Sequence, residues 1–302
     1  MTVAGVLWGT IGPAVAYIDE HAGLSAVQIS VWRIAIAAAV LSGFWVLRGR
    51  HRAQITGAVG RPSRPLVLRC LAIGVVTTGY QLAYFAAVAS AGVPVPTFIA
   101  LGLGPVLVAF GETVLFRRRP DARTLVVLVA AVGGLALLMV GKPAEVTAGG
   151  VAFALASAVG AAIAVLAAGS VSRRVDATLL NTLAAVGGLA VLAPLAAVTG
   201  GPGTARDAWS VLLLVHLGLV VSVVAYGLYF AATRVLAATH VVILTLLEPL
   251  TAAALAVLLL GQSLTPAAVA GGALLLGAVV ALRGVTPAEP VSEGALVPVE
   301  GR

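Results

Sequence analysis

The stretch AYFAAV at residues 83–88 recurs as LYFAAT at residues 228–233, an offset of 145. Leu103-Gly104-Pro105 returns as Leu247-Glu248-Pro249, and Gly133 answers Gly277, both at an offset of 144. These offsets are close to half of the 302 residues, so the chain reads as one unit written twice. Each copy of the motif lies inside an apolar run, and the character of those runs decides the fold.

Apolar residues make up 61% of the chain and charged residues 10%, with a mean hydropathy of +1.11. A soluble domain carries about 25% charged residues, so this chain lacks the material for a water-facing surface. Counting apolar runs of about 17–25 residues gives ten spans, near 2–18, 26–47, 68–89, 93–116, 124–141, 149–170, 178–199, 209–232, 240–260 and 267–283. None alternates as a barrel strand would. Backbone in lipid must satisfy its own hydrogen bonds, so the expectation is an all-α integral membrane protein. No separate signal peptide is expected, since the N-terminus lacks a basic start and a small-residue cleavage site. The single cysteine, Cys70, excludes an internal disulfide and a cysteine metal cluster.

Arginine and lysine set the orientation. The loop 48–66 carries Arg48, Arg50, Arg52, Arg61 and Arg64, with Arg69 just beyond, and the loop 117–123 carries Arg117, Arg118, Arg119 and Arg123. If ten helices alternate, Arg173, Arg174, Arg234, Arg283 and Arg302 fall on the same side, against Lys142 and Arg206 opposite. That bias places both termini in the cytoplasm. It also accounts for the net charge of +7 through topology and anionic lipid rather than a nucleic-acid partner.

The expected organisation is a five-helix repeat over 1–142, a second over 143–284, and a disordered cytoplasmic tail over 285–302. Five spans is an odd number, so the second repeat enters the membrane from the opposite side. The halves are then related by a pseudo-two-fold axis in the membrane plane, the architecture of secondary transporters whose site lies between the repeats. The duplicated motif agrees: Tyr84 sits toward the outer end of span three and Tyr229 toward the inner end of span eight.

Five ionisable residues fall within or at the edge of spans: Arg33, Glu112, His216, His240 and Glu248. A charge at mid-helix costs about 2.5–3.5 kcal/mol, while Leu, Ile, Phe and Val each return about 0.3–0.6. Span two holds ten such apolar residues and so tolerates Arg33, given a wet or paired setting or outward snorkelling. Glu248 immediately precedes Pro249, which removes a backbone hydrogen bond. An acid beside a broken helix, with Gly104-Pro105 as its broken repeat partner, fits the discontinuous helices of transporter sites. The bland alternative for Glu248 is a carboxylate that caps freed donors or pairs with Arg33. Glu112 is expected to pair with Arg117–Arg119, and His240 is a candidate proton relay or a plain interfacial histidine.

Two polar stripes carry more weight than any single charge. Ser222, Tyr226, Tyr229 and Thr233 lie at i, i+4, i+7 and i+11 on span eight, and Thr77, Tyr80, Gln81 and Tyr84 make the matching face of span three. Such faces turn inward, to line a cavity or to bond neighbouring helices. Trp8, mid-span among Gly5, Gly9 and Gly12, is expected at a vestibule, while Tyr17, Trp45 and Trp209 read as belt residues.

With these residues in view, the chain resembles the EamA-type transporters of the drug/metabolite transporter superfamily. Trp8-Gly9-Thr10, Trp32-Arg33 and Leu247-Glu248-Pro249 carry the resemblance, together with Leu259-Leu260-Gly261-Gln262. An acid usually follows that last glycine in the family; here it is Gln262, and the first repeat has Arg117-Arg118 at the matching offset. The resemblance covers the chain to about residue 284.

No H-E-x-x-H or G-x-S-x-G is present, and Gly141-Lys142 lacks the spacing of a phosphate loop. No cofactor, metal or nucleotide engine is therefore expected. The expected function is secondary transport of a small organic metabolite or drug-like solute, with efflux the favoured direction. A channel and a membrane-embedded enzyme are the alternatives, and the expected assembly is a monomer or homodimer. The expected substrate-binding set is Trp8, Arg33, Thr77, Tyr80, Gln81, Tyr84, Ser222, Tyr226, Tyr229 and Glu248, with Glu248 and His240 as candidates for proton coupling.

Overall fold

The computed structural model describes residues 1–55, 62–141, 146–260 and 263–282, without the side chains of 48–55 and 259–260. The tail 285–302, the Gly261-Gln262 pair and part of the basic loop 48–66 lie outside the described residues. Everything described is helix or connection, with no strand among the described residues. The elements are α1 (Thr2–Trp8), α2 (Ile11–Ala22), α3 (Ala26–Ile55), α4 (Arg64–Ala91), α5 (Pro94–Phe116), α6 (Ala122–Met139), α7 (Ala148–Val171), α8 (Ala177–Val198) and α9 (Ala208–His216). A π-helical segment (Leu217–Ala225) then leads to α10 (Tyr226–Val235), α11 (Ala238–Thr245), α12 (Leu247–Leu260) and α13 (Pro266–Ala281).

Among the described residues, eight helical stretches are long and apolar enough to cross a membrane, running from Ala26–Leu47 to Ala238–Leu258. Pro266–Ala281 is a shorter apolar helix. Large apolar side chains such as Phe110 and Val129 are 67% and 72% exposed on the outside of the bundle, a surface suited to lipid. Helix starts are fixed by side chains. Asp121, Thr147, Asp176, Asp207 and Thr265 each accept a hydrogen bond from a first-turn N–H, at Thr124, Gly150, Thr178, Ser210 and Ala268. Bonds from Thr124 and Ser210 hold the Asp121 and Asp207 carboxyls below the ordinary aspartate range.

In lipid, helices associate through close packing rather than through a hydrophobic force, and small residues allow that approach. A Cβ on Gly74 of α4 would lie 1.9 Å from the carbonyl oxygen of Ala184 on α8, and one on Gly187 would lie 2.2 Å from Leu71 O. The α4–α8 contact is thus backbone against backbone. The α6–α13 contact has the same character, with Gly271 2.4 Å from Gly134 O on the same measure. Helix α4 also lies along α7, α5 packs on α7, α3 packs on α8 and the π segment, and α1 packs on the π segment and α12.

Two expectations are corrected. The first span is broken into α1 and α2 at Gly9-Thr10. Gly9 is forced against the second half, where a Cβ would meet Thr251 Cβ at 2.4 Å and Glu248 O at 2.9 Å. Thr10 Oγ1 turns inward to Leu7 O at 2.7 Å and meets His216 Nε2 at 2.9 Å. The expected symmetry of broken helices also fails. Span nine breaks at Leu246, just before Glu248-Pro249, whereas α5 runs continuously through Pro105. Proline removes one hydrogen bond without obliging a break, and packing along α7 and α6 carries α5 through it.

Candidate functional site

The elements converge on a central cavity of about 180 Å3, many times the space one water needs. Helix α1 is drawn against α11 and α12 by Gly5 and Gly9, which puts Trp8 on the cavity wall. Helix α3 is anchored near its N-terminal end, where Trp32 Nε1 donates to the carbonyls of Pro202 and Gly203 at 3.0 and 3.1 Å. That anchor fixes the helix so that Arg33, one residue on, faces the cavity. Helix α4 contributes Thr77, Tyr80, Gln81 and Tyr84, α10 contributes Tyr226 and Tyr229, and α12 contributes Glu248.

The side chains form two linked groups. Arg33 donates through Nη2 to Gln81 Oε1, and Gln81 Nε2 donates to the Tyr226 hydroxyl at 2.6 Å. Tyr80 lies on the same lining. Trp8 stacks at a tilt against Tyr226 and Tyr229, with centroids 5.1 and 5.5 Å apart, and the two tyrosines meet edge-on at 6.0 Å. Tyr84 is tied outward to Thr97 by a 2.7 Å hydroxyl contact. Trp8 and Arg33 are buried, and their Nε1 and Nε atoms have no hydrogen-bond partner among the described residues.

Arg33 and Glu248 are the charged residues on the cavity lining, near enough to interact electrostatically without a direct ion pair. Glu248 sits in the first turn of α12. The break before Pro249 leaves the acid on the cavity wall at the start of α12. A cavity with a fixed cation, an acid and an aromatic wall suits a small solute with polar ends and an apolar body.

Nine of the ten expected site residues line this cavity; Ser222 does not. It lies in a smaller adjoining pocket of about 30 Å3 beside Thr78 and Asn181. Its hydroxyl donates to Leu217 O at 2.9 Å, five residues back, inside the π segment. The wider π turn rotates Ser222 out of the α-helical stripe. Thr233, the stripe's other end, is buried and bonded to Phe230 O. His240 lies off the cavity, with Nε2 3.2 Å from Thr124 Oγ1. Glu112 does not follow the expected arrangement: both carboxylate oxygens are taken up by the start of α11.

Sequence reasoning missed Ser157 and the small residues Ala161 and Ala162, by which α7 lines the cavity. They sit in an alanine-rich run whose only polar mark is that one serine. It also missed Asn181 of α8, whose Nδ2 donates to Ser222 O at 3.2 Å and Val223 O at 3.0 Å and so braces the π segment.

The fold has solved counterparts. A crystal structure of a protein 18% identical in sequence superposes with a TM-score of 0.76, covering 92% of this chain and 93% of the other. Among curated proteins, the uncharacterized transporter YwfM of Bacillus subtilis (strain 168) is 26% identical over 284 residues, covering 91% of this chain and 89% of that protein. The model of the EamA-like transporter family matches residues 1–140 and 148–284. Together with the apolar helices, that match identifies the protein as a multi-pass membrane transporter that belongs to the EamA-like transporter family.

Proposed function

We propose that this protein exports a small organic metabolite or drug-like solute across the cytoplasmic membrane by alternating access. Ten spans compose it, with kinked α1–α2 as the first and α13 as the tenth, and its two five-span halves rock about the central cavity. The observation that carries the reading is the cavity itself, built from both halves and charged by one residue from each, Arg33 and Glu248. The contact pattern supports a two-fold relation between the halves. An axis exchanging α4 with the span Ala208–Val235 turns the α4–α7 and α4–α8 contacts into π–α1 and π–α3 contacts, and the α5–α7 contact into α12–α1. Each partner contact is present, and α6 and α13 meet each other across the axis.

The arginine bias supports cytoplasmic termini. Arg33 would orient an acidic or acceptor group of the solute, the Trp8, Tyr226 and Tyr229 rings would hold its apolar body, and Glu248 would take its basic end or a coupling proton. The test is counterflow into proteoliposomes against amino acids, nucleosides, sugars and cationic dyes, with and without a pH gradient. Saturable uptake driven by unlabelled solute on the far side is the expected result. Non-saturating flux without counterflow would identify a channel instead.

A further inference from the structure

Below the tyrosines, the cavity ends on an apolar floor. Val108, Ala162, Val165, Leu166, Ala232 and Val241 form one buried cluster, with Tyr229, Ala238 and Val242 packed against it. Several of these residues also line the cavity, and on α5 the lining reaches Val108, so the cluster lies between the cavity and the last turns of α5 that lead to Arg117–Arg119. One contact at this floor joins the two repeats. Glu112, 8% exposed, stands on the last turns of α5 in the first repeat. Its Oε1 accepts from Ala238 N at 2.9 Å, and its Oε2 accepts from Thr239 N at 3.1 Å and Thr239 Oγ1 at 2.5 Å. Ala238 and Thr239 open α11, in the second repeat.

Helix α11 has Ala237 at its cap position, and no side chain of its own caps it. Its orphan first-turn donors are satisfied from another helix, by a full negative charge placed at the positive end of the helix dipole. Such charge-assisted bonds are among the strongest in proteins. An ordinary cap lies on its own helix and moves with it. This one spans the contact that must part if the floor opens, and Ala238 belongs both to the bonded turn and to the floor.

We propose that Glu112 is the latch of the inner gate: its carboxylate holds α11 over the cavity floor, and inward opening requires that α11 leave it. The inference rests on the alternating-access reading. Glu112 touches no cavity solute and acts by positioning α11, so its removal shifts the balance between closed and open floor.

The test uses the full-length chain in oriented vesicles, with Cys70→Ala as background and Ala232→Cys as a reporter in the floor. The readout is the rate of labelling by a membrane-impermeant charged maleimide added on the cytoplasmic side. Glu112→Gln is expected to raise that rate about tenfold or more, since a neutral amide loses the charge and turns a donor toward the helix N–H groups. Thr239→Val, which removes one of the three bonds, is expected to raise it less. Equal rates in parent and variants, with all proteins monodisperse and equally heat-stable, would overturn the latch. Failure of both variants to fold would also overturn it, because the contact would then serve the fold alone. The counterflow solute separates the two readings. Turnover that leaves the parent's labelling unchanged removes alternating access itself. Turnover that speeds the parent's labelling, with no further gain in Glu112→Gln, removes only the latch.

Discussion

Glu248→Gln is expected to reduce transport by about tenfold to a hundredfold in kcat/KM, the worth of one charge-assisted contact in a closed site. The substitution keeps side-chain size and removes charge. Glu248 makes no hydrogen bond to any described residue, so no structural bond is lost with the charge. Its carboxylate stands in the first turn of α12 on the cavity wall, within electrostatic reach of Arg33. Thermal stability in detergent should therefore be preserved while counterflow falls. Normal transport by a well-expressed Glu248→Gln protein would remove this residue from the site, and Tyr229→Ala is the companion variant that tests the aromatic wall.

The second large effect falls on the fold. Gly74→Val is expected to lower folded yield and the midpoint of thermal aggregation sharply. The added atoms would press on the Ala184 carbonyl oxygen, 1.9 Å from the first of them, and a main-chain oxygen has no rotamer by which to move aside. Overpacking a well-packed contact costs about 1–3 kcal/mol and more where backbone must separate. Two glycines grade the prediction. A Cβ on Gly218, offset from Gly74 by the repeat spacing of 144, would meet the Ile36 side chain at 2.6 Å, so Gly218→Ala should cost less than Gly74→Ala. A Cβ on Gly79 meets nothing within 4 Å, and Gly79→Val should leave the midpoint unchanged. Fluorescence-detected size exclusion after a heat step measures all of them, and equal losses at Gly74 and Gly79 would refute the close-contact account.

What was legible in the sequence was whatever repeats along a single helix. Apolar length marked the eight stretches from Ala26–Leu47 to Ala238–Leu258, and helical spacing put Tyr80, Gln81 and Tyr84 on one face and Tyr226 and Tyr229 on another. Features that depend on a second helix were not legible. The rotation of Ser222 comes from the π segment, whose carbonyls Asn181 braces from α8. The break at Gly9-Thr10 comes from the approach of α1 to Thr251 and Glu248. Pro249 marks a break and Pro105 does not, although the local sequences look alike. Glu112 is the clearest case. Local charge suggested Arg117–Arg119, yet the partner is a helix start 126 residues away along the chain. Gly111-Glu112 also supplies an acid after a glycine, six residues before the position where an offset of 144 looks for it.

The central claim is that one cavity between the halves opens by turns to each side of the membrane. The most direct measurement is labelling of Thr245→Cys, a cavity-wall position, in the Cys70→Ala background, by an impermeant maleimide added to right-side-out or to inside-out vesicles. The account predicts labelling from both sides, slowed from both by the transported solute, with conditions that favour one side suppressing the other. Labelling from one side only under every condition, or rapid labelling from both sides at once that no solute slows, would contradict it.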